Sequence, residues 1–383
     1  MPFAFATATE VVFGRGAFSR LGEKVASLGR RALVVTGSDP ARTRVLEELP
    51  KAGVDVAPFQ ITTEPTIAVA SDGVARAREA ECEMVVGVGG GSVLDGAKAI
   101  AALLTNGGEP LDYLEVIGAG RKIETPPAPC VAVPTTSGTG SEVTRNAVLA
   151  SPEHRVKVSL RSALMLPRLA LLDPELTVSV PPAVTASTGL DALAQVLEPF
   201  VSSRANPLTD ALCRDGLARA ARSLRRAYDD GGDLDAREDM ALVSLYGGMA
   251  LANAGLGAVH GFAGPLGGML GAPHGALCAR LLPGVIRANV QALRERSAAS
   301  PTLERYAEVA RILTGRVAAT PEEGAVWIED LCDALSVPGL SAHGLSLADL
   351  DTTVSKARKA SSMRGNPIEL NDEELHRILE EAT

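Results

Sequence analysis

The chain has 383 residues and a net charge of −9, and its apolar and charged fractions, 46% and 22%, are typical of globular proteins and not of disordered ones. The negative charge argues against a dedicated nucleic-acid binder, and no stretch approaches the about 18 consecutive apolar residues that a membrane helix needs. The five cysteines are scattered without a C-x-x-C pair and no secretory signal is visible, so we expect no disulfide framework and a reducing, cytoplasmic setting.

The first 180 residues alternate between strand and helix patterns. The period-two segment 3–13 predicts an N-terminal strand at a sheet edge. Strands separated by helices of 10 to 15 residues imply right-handed crossovers and a parallel sheet. Further strands are predicted at 32–36, 54–61, 84–88 and 131–133, with helices at 40–52 and 68–80.

From Pro181 onward the sequence is almost wholly helical in pattern, as in 208–228, where apolar residues recur at helical spacing. We therefore predict two domains, an α/β domain over 1–178 and an all-helical domain over 179–383.

A glycine-rich segment, GVGGGSVLDGAK (87–98), directly follows the third of these buried strands. It fails the G-x-G-x-x-G pattern at Ser92, and it follows the wrong strand for a Rossmann fingerprint. Three consecutive glycines nevertheless let backbone N–H groups approach an anion at a helix N-terminus. Ser92 and Asp95 also match a capping box. A glycine-rich turn with an ordinary cap is the alternative interpretation.

A second loop, PTTSGTGSE (134–142), follows the next strand and is rich in hydroxyl groups. Loops at the carboxyl edge of an open parallel sheet are where such folds bind ligands. The two loops together predict a dinucleotide-binding site.

Two histidines, His260 and His274, lie in glycine- and alanine-rich apolar segments. Asp191 and Gln195 are four residues apart on a predicted helix and therefore share one face. A carboxylate in apolar surroundings needs a partner. One carboxylate, one amide oxygen and two imidazoles suit iron or zinc better than magnesium, so these four residues form a candidate metal site. Two ordinary buried histidines are the alternative.

These segments together resemble the iron-containing (group III) alcohol dehydrogenase family. The similarity runs in the family's order over essentially the whole chain. The matching segments are FGRGA near residue 13, GGGSVLDGAK (89–98), PTTSGTGSEVT (134–144), LLDPELT (171–177), GLDAL (189–193), ANAGLGAVHGFAGPLGG (252–268), PHGALCARLLP (273–283) and NPIEL (366–370).

The resemblance implies a dehydroquinate synthase-like architecture, with an N-terminal dinucleotide-binding α/β domain, an all-α metal-binding domain and an active site in the cleft between them. It assigns Asp191, His260 and His274 to three of the family's four metal ligands. The cofactor-binding residues that it implies are Gly37, Ser38, Gly89, Gly90, Gly91, Ser92, Asp95, Thr135, Thr136, Thr139 and Lys157.

Two positions depart from the family pattern. The family's second ligand, a histidine four residues after the aspartate, is Gln195, which can still offer a carbonyl oxygen. Where the family has a histidine four residues after His260, this chain has Gly264. The glycine removes a proton-relay group and enlarges the pocket.

The implied reaction is hydride transfer between NAD(P) and a small alcohol or aldehyde, with Fe²⁺ or Zn²⁺ as Lewis acid and no side chain assigned as catalytic. The alternatives are a metal-free NAD(P)H reductase of the maleylacetate reductase kind, a dehydroquinate synthase-like lyase and a non-catalytic nucleotide-binding protein. The retained aspartate favours a metal, and the absence of Lys and Arg near the candidate ligands disfavours the lyase. By family habit we also expect a homodimer.

Coenzyme choice is expected to depend on the turn after the first of the buried strands. The family's ribose-binding position there is Gly37, which removes the repulsion of a 2′-phosphate, and Ser38 and Arg42 could donate to that phosphate. The carboxylate of Asp39 could restore a preference for NAD(H), unless it is occupied as the cap of the helix that begins at Pro40. We therefore predict that NADP(H) is accepted at least as well as NAD(H).

Overall fold

The computed structural model describes residues 2–154 and 156–383. The chain forms two compact units. The first, here called the α/β unit, comprises Thr7–Thr136 and Gly140–Val180. The second, the helical unit, comprises the N-terminal residues up to Ala6, Ser137–Thr139 and Pro181–Thr383. The chain thus passes from the α/β unit to the helical unit after Val180, and two short segments before that point also belong to the helical unit. The division into domains at 178 stays a prediction.

The α/β unit is built on a parallel sheet, as the sequence predicts. The strands are β1 (Glu10–Phe13), β2 (Arg31–Thr36), β3 (Asp55–Gln60), β4 (Met84–Gly89), β5 (Cys130–Pro134), β6 (Asn146–Ser151), β7 (Val156–Arg161) and β8 (Leu169–Leu172). The strand order of the sheet is β1-β8-β5-β4-β2-β3, and β6 pairs with β7 as a separate antiparallel ribbon. The central strands are buried on both faces, which explains their continuous apolar sequences.

Helices cover both faces of this sheet and bury two separate aliphatic cores. The predicted helices at 40–52 and 68–80 are confirmed within a residue or two as α2 and α3. The helices of this unit are α1 (Leu21–Ala26), α2 (Ala41–Lys51), α3 (Ile67–Glu79), α4 (Gly91–Asn106) and α5 (Pro110–Tyr113).

The predicted N-terminal strand is wrong over residues 3–9, because β1 begins only at Glu10. From there β1 lies at the edge of the sheet, paired with β8. The backbone N–H and C=O of Ala6 are instead satisfied by the side-chain amide of Asn253, at 2.7 and 2.8 Å. A tertiary contact therefore replaces the strand ladder that the alternating pattern predicts.

The helical unit packs around α6, which is buried over nearly its whole length. Among the described residues, no single helix has the length and apolar composition to cross a membrane, although α8 and α9 pass that test as a pair bent by 102°. The helices are α6 (Pro182–Val201), α7 (Pro207–Asp229), α8 (Leu234–Ala254), α9 (Ala258–Leu270), α10 (His274–Arg296), α11 (Thr302–Thr314), α12 (Pro321–Ala334), α13 (Leu350–Lys359) and α14 (Asp372–Ala382).

The turn between α9 and α10 places a candidate ligand. Gly271 ends α9 in the left-handed conformation, with φ of 64°, which a glycine adopts without a Cβ clash. Three residues later His274 begins α10 directly after Pro273. The turn therefore brings the start of α10 back beside α9.

Candidate metal site and coenzyme loops

A stripe of polar side chains runs along α6. Asp191, Gln195 and Glu198 are spaced at i, i+4 and i+7 and so lie on one helix face. All three are at most 3% exposed although the surrounding core is apolar. Burial at this level costs free energy unless each polar group finds a partner. The stripe therefore needs polar groups from neighbouring helices.

His260 on α9 supplies the first of these partners. Its Nδ1 lies 2.7 Å from Glu198 Oε2, and its Nε2 lies 3.2 Å from Asp191 Oδ1. Glu198 Oε1 accepts the backbone N–H of Val259 at 2.8 Å, which fixes the carboxylate itself. A carboxylate on Nδ1 sets the imidazole tautomer and leaves Nε2 to face the cluster, as is common for metal-binding histidines.

His274 and Cys278 complete the cluster from α10, where they lie one turn apart. His274 Nε2 is 3.9 Å from Asp191 Oδ1. Cys278 Sγ is 3.7 Å from His274 Nε2 and 3.8 Å from His260 Nε2. The ligand atoms of Asp191, His260, His274 and Cys278 all lie within 4.8 Å of one another. The structure thus brings together three of the four predicted metal ligands and adds a thiol.

Sequence reasoning missed Cys278 and Glu198, although both carried a signal. Cys278 follows His274 by four residues, and Glu198 follows Asp191 by seven, so each shares a helix face with a predicted ligand. Neither signal is specific in the sequence, because many buried cysteines and glutamates have that spacing by chance.

The cluster is chemically suited to a divalent cation. Carboxylate, imidazole and thiolate are the donors that Zn²⁺ and Fe²⁺ take in proteins. Burial by itself would lower the pKa of His260, but Cys278, Asp191 and Glu198 raise it well above 6.5. Burial would raise the pKa of Asp191, yet His260, His274 and Gln195 lower it. The electrostatics therefore favour positive charge at the centre of the cluster, and the residues fit a metal ion.

Gln195, the fourth predicted ligand, lies one turn from Asp191. Its Nε2 donates to the carbonyl of Gly138 at 3.3 Å, and its Oε1 is buried without a hydrogen-bond partner. Ligation by Gln195 stays a prediction. A Cβ built on Gly264 would meet no atom within 4 Å, so the space that a larger side chain would occupy is open.

In the α/β unit the glycine loop opens α4, but without the predicted capping box. The helix begins at Gly91 after an extended Gly90, and no side chain caps it among the described residues. Asp95 instead accepts from Ser141 Oγ and from the backbone N–H of Val148 and pairs with Lys98 at 3.1 Å. The capping-box prediction is therefore wrong, because the helix starts too early for Ser92 to be its cap.

The loops after β4 and β5 lie side by side, since the two strands are neighbours. The backbone N–H of Thr135 donates to the carbonyl of Gly89 at 3.0 Å. A Cβ on Gly90 would lie 3.4 Å from Thr136 Oγ1, so only a small residue leaves space between the loops.

Lys157 on β7 pairs with Glu64 at 3.1 Å. Thr139 belongs to the helical unit, and the roles of all these residues toward a coenzyme stay predictions.

The turn after β2 carries the residues expected to choose the coenzyme. The prediction that Asp39 is the N-cap of α2 is wrong by one residue, because the helix begins at Ala41 and its N-cap is Pro40. The Asp39 carboxylate nevertheless accepts the backbone N–H of Ala41, at 3.0 Å from Oδ1. Burial raises the pKa of Asp39 despite hydrogen bonds that lower it, including one from Thr135. Its Oδ2 lies 3.2 Å from the place of a Cβ on Gly37. Ser38 stays exposed beside it.

Comparison with known proteins decides the family. Residues 8–174 match the family model described as iron-containing alcohol dehydrogenase, and residues 185–383 match that of the C-terminal domain of the Fe-containing alcohol dehydrogenase family. The chain belongs to the iron-containing alcohol dehydrogenase family.

Individual members of the iron-containing alcohol dehydrogenase family match over nearly the whole chain. The chain is 36% identical to 4-hydroxybutyrate dehydrogenase of Cupriavidus necator, covering 98% of both chains. It is also 36% identical to 1,3-propanediol dehydrogenase of Klebsiella pneumoniae, covering 97% of this chain and 96% of that one. A solved structure of 1,3-propanediol oxidoreductase superposes with a TM-score of 0.92 at 35% identity over 100% of both chains. The protein is accordingly an oxidoreductase that acts on CH–OH groups.

Proposed function

We propose that the protein is a metal-dependent, NAD(P)-linked alcohol dehydrogenase or aldehyde reductase that acts on small alcohol/aldehyde pairs. The observation that carries the proposal is the cluster of Asp191, His260 and the half-buried His274, whose ligand atoms lie within 4.8 Å of one another in a chain of this family. Apolar residues surround the cluster, which suits a small uncharged substrate better than a phosphorylated acid.

Some side chains of the cluster would bind the ion, and Glu198 orients one of these ligands. Asp191, His260 and His274 would bind it, and the sequence predicts Gln195 for the fourth position. Bound there, a divalent ion supplies Lewis-acid stabilisation of the negative charge that develops on the substrate oxygen. Glu198 accepts a hydrogen bond from Nδ1–H of His260 and so orients the ring with Nε2 toward Asp191, where Nε2 would bind the ion in its unprotonated form.

The glycine loop and α4 would bind the coenzyme. Backbone N–H groups of Gly89 to Ser92 and the helix N-terminus would bind the pyrophosphate, because unpaired N–H groups and the helix dipole favour anions there. The bound nicotinamide supplies the hydride chemistry. Gly90 leaves room between the loop and Thr136 that a larger side chain would occupy.

The test of this function compares metal content with activity. The purified protein is assayed for bound metal and for NADPH and NADH oxidation with a panel of short aldehydes, before and after treatment with a chelator. We expect activity to fall with the metal and to return with Fe²⁺ or Zn²⁺. Full activity of metal-free protein would overturn the metal mechanism and support a metal-free reductase. Absence of activity with every aldehyde and alcohol would overturn the substrate class.

The role of Gln195 is tested by Gln195→His. If the amide oxygen is a ligand, imidazole is the stronger donor and the substitution tightens Zn²⁺ binding. The measurement is competition with a zinc-binding dye. An unchanged affinity would place Gln195 outside the coordination.

A homodimer in a reducing, cytoplasmic setting completes the proposal. The five cysteines are free thiols, which supports the reducing setting. The edge position of β1 leaves its outer side without a strand partner within the sheet, which supports dimerisation through this segment. Light scattering that gives a monomer mass at micromolar concentration would contradict the dimer.

A further inference from the structure

We propose that the thiolate of Cys278 is a ligand of the metal ion, giving a site of one carboxylate, two imidazoles and one thiolate, and that Gln195 lies outside the coordination. The inference rests on the metal site of the proposed function and names a donor that the sequence analysis did not. The thiol proton leaves to solvent when the sulfur binds, since the thiolate is the ligating form.

The distances fit a single ion. A tetrahedral ion with bonds of about 2.0 to 2.3 Å holds its ligand atoms about 3.3 to 3.6 Å apart. The measured pairs that join Cys278 Sγ to His260 Nε2 and His274 Nε2 are 3.8 and 3.7 Å. The pairs that join Asp191 Oδ1 to the same two nitrogens are 3.2 and 3.9 Å. These four distances differ from the tetrahedral values by a few tenths of an ångström, and no two of the four ligand atoms are more than 4.8 Å apart.

The helix fixes the thiol in place. Cys278 follows His274 by one turn of α10, so both side chains project from the same face. Cys278 is fully buried, and its side chain has only one rotatable bond before the sulfur, so little entropy is lost on binding. Within residues 2–154 and 156–383, the only group of three or more possible His, Cys, Asp or Glu ligands is this cluster.

Gln195 is the competing donor, and its amide already has partners in Asp191 and in the carbonyl of Gly138. Its Nε2 faces the carbonyl of Gly138, and its Cβ lies 2.9 Å from the place of a Cβ on Gly247, so the side chain is confined between these two glycines. A neutral amide oxygen is also a weaker donor for zinc or iron than an anionic thiolate. The sulfur therefore has both the position and the charge to displace it.

A thiolate ligand changes which ions the site prefers. Soft donors favour zinc and cobalt over hard ions such as manganese and magnesium. We expect the protein to discriminate against Mn²⁺ more strongly than a site built from oxygen and nitrogen alone. The discrimination should weaken in Cys278→Ser, whose hydroxyl is a hard donor.

The experiment uses the full chain with Co²⁺ as the probe. Chelator-treated protein titrated with Co²⁺ should develop a near-ultraviolet sulfur-to-cobalt charge-transfer band that is absent from Cys278→Ser. Cys213→Ser, the same change at an equally buried thiol outside the cluster, is the matched control and should keep the band. X-ray absorption of the zinc form should show one sulfur at about 2.3 Å. Zinc affinity of Cys278→Ser should fall at least about 10- to 100-fold, the loss typical when a ligand's hydrogen-bond partner is removed.

The outcomes separate this inference from the proposed function. Wild-type protein that binds Co²⁺ and Zn²⁺ without a sulfur signal overturns ligation by Cys278 and leaves the metal mechanism intact. Wild-type protein that binds neither ion overturns both. Gln195→Ala should keep the charge-transfer band and the zinc affinity, and a large loss of affinity in that variant would assign the position to the amide. The wild-type spectra decide the question even if Cys278→Ser does not fold.

Discussion

The two units of this protein present their functional groups in opposite ways. In the α/β unit, the candidate coenzyme site is made mainly of backbone, from glycines and hydroxyl residues in two short runs of sequence that follow adjacent strands. In the helical unit, the candidate metal site is made of side chains from α6, α9 and α10 that are up to 87 residues apart. A backbone site depends on local conformation, whereas a side-chain cluster depends on helix packing.

Two buried carboxylates sharpen the contrast between the units. Burial raises the pKa of Asp191, but two histidines and Gln195 lower it overall. Burial raises the pKa of Glu142 in the α/β unit to about 7, although Lys98 acts to lower it, and Glu142 Oε1 has no hydrogen-bond partner. The partners, and not the degree of burial, therefore decide which carboxylate is charged.

The largest effect is expected at the metal cluster. His260→Ala removes one ligand and the partner of Glu198, so bound metal should be lost and kcat/KM should fall by about 10³-fold or more, the equivalent of several kcal/mol of Lewis-acid stabilisation. NADPH binding, followed by fluorescence, should be unchanged because the glycine loop that would bind the pyrophosphate lies in the α/β unit. His376→Ala, on α14 and paired with Asp351, is the control. Metal content or activity at the wild-type level in His260→Ala would contradict the site.

The second effect is on stability and belongs to the α/β unit. The pKa of Glu142 is about 7 in the folded protein against 4.5 as its ordinary value. At low pH the protonated Glu142 side chain is uncharged, and its burial costs no electrostatic free energy. As the pH rises from about 4.5 through about 7, the unfolded protein loses this proton before the folded protein does, and the free energy of unfolding falls. Glutamine cannot ionise, so position 142 in Glu142→Gln contributes no such loss. The free energy of unfolding of this variant, relative to that of wild type, should therefore rise by about 2 to 3 kcal/mol between about pH 5 and about pH 8.

Urea denaturation of both proteins at the two pH values measures this difference, with Glu124→Gln at an exposed position as control. If the difference in free energy of unfolding between Glu142→Gln and wild type does not change with pH, partners keep the folded Glu142 carboxylate charged at the lower pH, and its pKa is not raised.

A third effect tests how the helical unit orients its ligands. Glu198 accepts two hydrogen bonds, one from Nδ1–H of His260 and one from the backbone N–H of Val259. Glu198→Gln leaves one oxygen for two donors, so zinc affinity should fall about 10- to 100-fold while the fold is kept. Competition with a zinc-binding dye gives the affinity. Glu308→Gln, which removes a surface ion pair with Arg214, should change nothing. An unchanged affinity in Glu198→Gln would show that His260 needs no orienting partner.

The smallest effect concerns coenzyme choice in the α/β unit. Because the Asp39 carboxylate is engaged by the backbone N–H of Ala41, we predict that NADP(H) is used at least as well as NAD(H). Gly37→Asp should move the ratio of kcat/KM values about tenfold toward NAD, which is about 1.4 kcal/mol. Asp39→Asn should move it toward NADP. A tenfold or greater preference of the wild type for NAD would show that the Asp39 carboxylate faces the ribose.

The sequence by itself determined the features that depend on neighbouring residues. Strands such as β2 and β4 follow from continuous apolar runs, and α7 follows from its helical spacing, because each pattern is set within one element. The residue pattern and the resemblance to a known family both indicated Asp191, His260 and His274, which the structure brings together. These predictions needed no knowledge of which elements touch.

Only the tertiary structure decided the rest. The start of β1 depends on Asn253, whose amide takes up the backbone of Ala6 far away in sequence. Cys278 and Glu198 become part of the cluster because α6, α9 and α10 turn particular faces toward one another. Helix spacing states which residues share a face, but not which faces meet. That choice is made by the packing of whole helices, where burial of apolar area outweighs any local preference.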